Sequence, residues 1–379
     1  MRSTLSLLRH RALLAALPAS LLVAACDDDP SSPAGEPVRG VVVLNGFGAQ
    51  GVSSLDTALA TRTFTPFDAA FDGGAFLVLN DTALATSSKG GGDKLYIADL
   101  SAGTTRTVQL PANSNPAGVS FLPSSAGVTR IGVALRDSSA IAVVSVSLTG
   151  TPTVTLIRET GLCPVDLAVT TTGDIFALDA NANCRTDYSV VGAARIIYVS
   201  SAGVRDTILL PTNARGSAAG LAVFANTIFV TTPGEVNFAT GAVTTAPAIT
   251  QINPNSGQVL GQVLLPAGFY GATLEVGRDG IFYVTSYDVA QGYHSRVFAI
   301  DPTSGDYVGL RQTGQNYLRL VKPNDAIANC AAVTADAASQ LYCVENGTGS
   351  AATVTVFSPT GAPVRSGAAG QGGVDIALR

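Results

Sequence analysis

Seven short turns punctuate this chain at steps of 45, 47, 53, 54, 48 and 56 residues, counted from the last residue of each. They are Leu55-Asp56-Thr57-Ala58, Asp99-Leu100-Ser101-Ala102-Gly103, Ser147-Leu148-Thr149-Gly150, Ser200-Ser201-Ala202-Gly203, Asn253-Pro254-Asn255-Ser256-Gly257, Asp301-Pro302-Thr303-Ser304-Gly305 and Ser358-Pro359-Thr360-Gly361. Each ends one β-type apolar segment and is followed at once by another. A step in this range means a repeat architecture whose unit is a small antiparallel sheet.

Within a repeat the reading is four strands. Thr273–Val276, Ile281–Thr285, Arg296–Ile300 and Tyr307–Arg311 illustrate it, with Arg278-Asp279-Gly280 turning between the first two. The second strand is expected at Ala75–Leu79, Ile131–Leu135, Asp174–Leu178, Thr227–Thr231, Ile281–Thr285 and Leu341–Val344. These runs are continuously apolar rather than alternating, as strands buried on both faces between stacked sheets must be. Sheets stacked this way hide their edges by closing radially, which gives an all-β propeller.

The chain ends count the blades. Six repeats are complete between about Phe67 and Gly370, while Val38–Pro66 supplies only three strands. Gly373-Val374-Asp375-Ile376-Ala377-Leu378 echoes Pro164-Val165-Asp166-Leu167-Ala168-Val169, so the C-terminal strand is expected to complete the N-terminal sheet and close a seven-bladed ring. The composition fits, with 40 glycines and 19 prolines, 46% hydrophobic residues and no long helical period beyond the first 25 residues.

Those first 25 residues read as a signal peptide. Arg2, Arg9 and Arg11 form a basic start, and the apolar Ala12–Ala25 is broken by Pro18 and too short to span a bilayer. Leu22-Val23-Ala24-Ala25-Cys26 resembles the lipobox of bacterial lipoproteins, which implies lipidation of Cys26 and attachment to the membrane of a bacterial cell envelope, facing the periplasm or the outside. Residues 26–37 are polar and proline-rich and read as a flexible tether that reaches about 35 Å when extended. The propeller domain then spans 38–379. Loss of the three signal-peptide arginines takes the formal charge from −5 to −8, and the remaining Lys and Arg are scattered, which excludes a nucleic-acid surface.

Four further cysteines fit an oxidising compartment. The sequence-local pairing is Cys163 with Cys184 and Cys330 with Cys343, the second across a hairpin turning near Asp336 and Ala337 that would set the two directly opposite. A zinc site competes poorly, since no C-x-x-C occurs and only His294 follows the signal peptide.

Gly280-Ile281-Phe282-Tyr283-Val284-Thr285 and Val297-Phe298-Ala299-Ile300-Asp301-Pro302-Thr303-Ser304-Gly305 resemble the strand motifs of the YVTN/NHL/SMP-30-like group of bacterial propellers. The resemblance covers nearly the whole domain and implies the scaffold, which hosts unrelated functions. In such a ring the loops between second and third strands and between blades share one face. The long loops 81–93, 179–194, 232–247, 286–295 and 314–325 fall there and make that face the candidate binding surface for a protein or glycan. Tyr188, Tyr270, Tyr287, Tyr293, His294, Tyr317 and Arg319 are its ligand-binding candidates, because tyrosine joins a flat apolar face to a hydrogen-bonding tip. The competing reading is that these rings fill space between blades.

Asp179, Asn181, Asn183 and Asp187 place oxygens at alternating positions of one loop, a weak pattern for a calcium ion against the alternative of an Asx-rich loop pinned by a disulfide. Otherwise no cofactor is expected. Any Ser-His-Asp or Cys-His site would have to use His294. The SMP-30 resemblance implies as the alternative function a metal-dependent hydrolase or lactonase with carboxylates at the channel mouth. Asp68, Asp166, Asp325 and Asp375 lie near starts of innermost strands, yet no residue matches that family's glutamate. Capping of neighbouring blades' amides is the other role open to these aspartates.

Overall fold

The computed structural model describes residues 37–379 apart from 61, 88–91, 126, 148–149, 159, 188, 204, 216–219, 238, 310 and 347–350. Cys26 and Tyr188 therefore lie outside the described residues. Seven antiparallel sheets form a ring of blades, and the one helical element described is a 3₁₀ turn at Arg136–Ser138. The innermost strands are Gly373–Leu378 in blade 1, then Gly73–Leu79, Pro116–Ser125, Pro164–Val169, Leu221–Phe224, Phe269–Val276 and Cys330–Ala335 in blades 2 to 7.

Ring closure follows the sequence expectation. The C-terminal strand pairs with Val41–Asn45 through Val41↔Leu378, Val42↔Ala377, Val43↔Ile376 and Leu44↔Asp375. Val41–Asn45 is buried along its whole length because its two faces serve two seams. Val41 and Val43 pack toward blade 7 with Tyr342, Val344 and Val354, while Val42 and Leu44 pack toward blade 2 with Val78, Ala83 and Tyr96. The same division holds at every blade boundary, so the core is a set of apolar clusters between blades rather than one central mass. This is why the strand pattern is continuously apolar.

Three of the repeated turns, at Asp99, Asn253 and Asp301, are Asx-type turns closed by glycine. In blade 2 the Asp99 carboxylate accepts the Ser101 and Ala102 amides, both at 2.9 Å, and Gly103 returns its N–H to the Asp99 carbonyl at φ +66. Asp301 and Gly305 repeat the arrangement in blade 6, with the Thr303 amide 2.7 Å from the Asp301 carboxylate. A left-handed residue is needed at the last position, which glycine occupies without steric cost.

Three local details differ from the sequence reading. Ala75–Leu79 belongs to the innermost strand of blade 2, and Thr82–Ser87 takes second place. The turn between them is only Asn80-Asp81 with Asn80 at φ +53, so neither glycine nor proline marks it. In blade 6 the fourth strand shrinks to an Ile300↔Tyr307 bridge and a Val308 N–H to Ala299 carbonyl bond of 2.9 Å. Gly309, at φ +79, then turns the chain away, and Leu318 returns to donate to the Val297 carbonyl at 2.7 Å. Finally, Cys330 and Cys343 are not directly opposite: Val333 faces Cys343, and Cys330 faces Glu345. The hairpin folds about Ala338, because the Asp336 carboxylate gathers the Ala338 and Gln340 amides at 2.9 Å each. The disulfide spans the ladder diagonally with Cα atoms 5.4 Å apart, and Cys163–Cys184 forms the second bridge at 5.6 Å.

Candidate functional site

Innermost strands begin at one face of the ring and end at the other. The second-to-third-strand loops and inter-blade connections gather at the first, the long-loop face, and the glycine-closed turns lie at the second. At the long-loop end of blade 6, strands Phe269–Val276 and Phe282–Asp288 set Tyr270 directly across from Tyr287, and Phe282–Asp288 and His294–Ile300 set Asp288 across from His294. Gly271 sits at φ +85, and any Cβ there would lie 2.9 Å from the Tyr287 ring; glycine allows that ring to lie against the backbone. The 289–293 loop closes with Tyr293 at φ +63 and its N–H on the Asp288 carbonyl at 2.9 Å.

The structure thus brings together four of the candidates: Tyr270, Tyr287, Tyr293 and His294. Tyr287 and Tyr293 remain 38% and 43% exposed although the strands beneath them are firmly paired. Burial raises the phenol pKa of Tyr270, with the Tyr293 hydroxyl adding to it, and burial alone raises that of Tyr287. Both phenols stay neutral donors and acceptors at ordinary pH.

Tyr317 and Arg319 lie elsewhere. The Tyr317 ring packs 6.3 Å from both Phe269 and Phe298, with the Arg296 guanidinium 5.4 Å from its centroid, so it fills the blade 5–6 seam. Arg319 is exposed, but its backbone runs beside Gly361 of a short turn, and Val321 donates to the Gly361 carbonyl at 3.1 Å. Sequence reasoning also missed Phe47, Leu162 and Val191, which expose 44%, 44% and 58% of their surface in connections on the long-loop face. Phe47 and Leu162 sit in short connections that carry no length signal, whereas Val191 lies inside the long 179–194 loop without an aromatic ring or charge to single it out.

The Asp179 loop is held by its own hydrogen bonds. Asp179 is fully buried; its Oδ1 accepts the Cys163 and Asn181 amides at 2.8 and 3.1 Å, and its Oδ2 accepts Arg195 Nε at 2.7 Å and the Leu162 amide at 3.1 Å. Asn181 donates to the Ala193 carbonyl and Asn183 to the Ser189 hydroxyl, both at 2.9 Å. Asp187 accepts the Ser189 amide at 3.0 Å, and bonds from Ser189 lower its pKa.

The central channel encloses about 430 Å³ between the innermost strands. Asp166 and Asp375 line it, at matching third positions of the innermost strands of blades 4 and 1. Desolvation pushes both carboxyls up to about 7; the Leu221 and Leu167 amides oppose the shift at Asp166, and the Ile376 amide opposes it at Asp375. Glu275, also in the wall, accepts the Thr334 hydroxyl at 2.8 Å. Asp68 is instead paired with Lys94 at 2.7 Å, and Asp325 is an exposed left-handed residue at φ +61. Among the described residues, no three His, Cys, Asp or Glu side chains are grouped to hold a metal.

No known protein family matches the sequence, and no curated protein matches it. Solved structures do resemble the fold. A Lactobacillus plantarum protein is 14% identical with a TM-score of 0.57, covering 90% of this chain and all of its own. A functionally unknown protein from Desulfotomaculum acetoxidans is 16% identical with a TM-score of 0.56, covering 90% of this chain and 98% of its own. Virginiamycin B lyase from Staphylococcus aureus, in complex with quinupristin, is 16% identical with a TM-score of 0.53, covering 79% of this chain and 86% of its own. At these identities the likeness is one of propeller fold.

Proposed function

We propose that this chain is a noncatalytic, lipid-anchored propeller of the bacterial envelope that binds a protein or glycan through its long-loop face. The observation that carries the reading is the tyrosine group of blade 6. Tyr287 stands on a paired strand and Tyr293 closes the tight loop beside it, both large and partly exposed, so a partner can bury them with little loss of side-chain freedom. Phe47, Leu162 and Val191 add exposed apolar residues on the same face, on other blades. The alternative, metal-dependent hydrolysis at the channel mouth, draws no support from the placement of the four aspartates: Asp166 is bonded to blade amides, Asp375 to its neighbour's amide, Asp68 to Lys94, and Asp325 lies in an exposed turn.

The test compares wild-type domain with a Tyr287→Ala/Tyr293→Ala double variant in capture from envelope extracts and on a glycan array. A partner or glycan bound by the wild type and lost at least about tenfold by the variant, with unchanged thermal unfolding, supports the reading. Equal binding by both proteins overturns it. Anchoring is read separately: Cys26→Ser should move the protein from membranes to the soluble fraction, and continued membrane association would reject lipidation.

A further inference from the structure

The point at which the chain enters the ring has a fixed place. Arg39 donates to the Arg379 carbonyl, and Arg379 donates back to the Gly40 carbonyl at 2.9 Å. Val38 packs against the blade 7–1 cluster, and Gly40 is so closely seated that a Cβ would lie 2.5 Å from the Leu55 carbonyl oxygen. Leu55 precedes the first short turn, and the Arg379 guanidinium reaches Asp81, in the short turn of blade 2, at 3.3 Å. The domain is therefore clamped from Val38 onward at the short-turn face, opposite the tyrosines.

We propose that this attachment turns the short-turn face toward the membrane and presents Tyr270, Tyr287 and Tyr293 away from it. The inference rests on lipidation of Cys26. Eleven residues separate Cys26 from Val38, and read as a tether a chain of that length has an average span of about 18 Å. Crossing from one face to the other along a six-residue strand takes roughly 20 Å before the tether even rounds the rim. Inverting the ring would pull the tether close to full extension, at a cost in chain entropy that the upright arrangement avoids. The partner-binding face is then the one a soluble or opposing-surface molecule meets first.

The experiment uses full-length lipidated protein on vesicles carrying an acceptor dye on the lipid headgroup, with a donor dye at Ser304→Cys or at Gln291→Cys. Both positions are exposed and belong to blade 6, Ser304 in its short turn and Gln291 in its long-loop connection, so only height differs. Energy transfer should be at least about twofold stronger from position 304, given a separation of roughly 20 Å along the strands. Equal transfer, or stronger transfer from 291, overturns the orientation while leaving the anchor intact. Lipid-independent binding of a Cys26→Ser control, or failure of the wild type to associate with vesicles, removes the anchoring reading itself and this inference with it.

Discussion

The Asp166 carboxylate of blade 4 accepts the Leu221 amide of blade 5 at 2.7 Å. Innermost strands have no neighbour on their channel side, so every second N–H there lacks a ladder partner. Asp166 supplies one by bonding its own neighbour's amide, Leu167, at 2.8 Å with one oxygen and the next blade with the other. Gly118 of blade 3 lies so close that a Cβ would sit 2.4 Å from Asp166 Cα, which fixes glycine at that position.

Asp166→Ala should therefore destabilise the domain by about 1–3 kcal/mol, since it leaves the Leu221 amide unpaired at a seam. Asp166→Asn keeps an acceptor oxygen and should cost less. Urea unfolding followed by fluorescence measures both; equal losses for the two variants would show that the bond to Leu221 contributes nothing.

A pH dependence follows from the channel pair. Asp166 and Asp375 have folded-state values near 7 against an ordinary 3.8, so the folded protein holds more protons than the unfolded chain between those values. Their contribution is full below about pH 4 and is lost as pH rises through about 7. Stability should fall between about pH 6 and pH 8 by roughly 1 kcal/mol for each aspartate, and Asp375→Asn should remove about half of that slope. Asp99 and Asp187, whose values are lowered by hydrogen bonds, lose their contributions only at acidic pH and leave this window clear. A flat melting temperature across the window would contradict the assignment.

The Asp179–Arg195 pair makes a third prediction. Asp179 is buried and receives four hydrogen bonds, so Asp179→Ala strands the Arg195 side chain and the amides of Leu162 and Cys163. The expected loss is about 3–5 kcal/mol, seen as a large fall in melting temperature. Because both oxygens are already engaged, calcium added to the wild type or removed by chelator should leave the melting temperature unchanged; a calcium-dependent rise would restore the cation reading of Asn181, Asn183 and Asp187.

The sequence disclosed the ring but only part of the surface. The Asp301-Pro302-Thr303-Ser304-Gly305 turn and the echo of Pro164–Val169 in Gly373–Leu378 are local chemistry repeated by architecture, so blade number and closure were legible. The Asn80-Asp81 turn was not, because its left-handed residue is asparagine, and the inner strand of blade 2 ran into the second without a glycine or proline to mark the break. Tyrosine roles were equally hidden. Tyr270, Tyr287 and Tyr317 all occupy loop-proximal positions, yet only the cross-strand register brings the first two together and only tertiary packing sends Tyr317 into the blade 5–6 seam.

Closure by the C-terminal strand supplies the last prediction. Ile376 and Leu378 belong to the apolar cluster between blades 7 and 1, and Val374 and Ala377 pack against the one between blades 1 and 2. Deleting residues 373–379 removes side chains from two seams at once and exposes the buried inner edge of Val41–Asn45. A chain so truncated should lose its cooperative unfolding transition and aggregate, whereas one lacking residues 1–37 keeps every blade and should melt as the full domain does. Adding a peptide of residues 370–379 to the truncated chain should restore solubility, because the missing element is a strand whose partner edge is already formed. A truncated protein that still melts cooperatively at the wild-type temperature would mean that the ring is held by its blade seams without this strand.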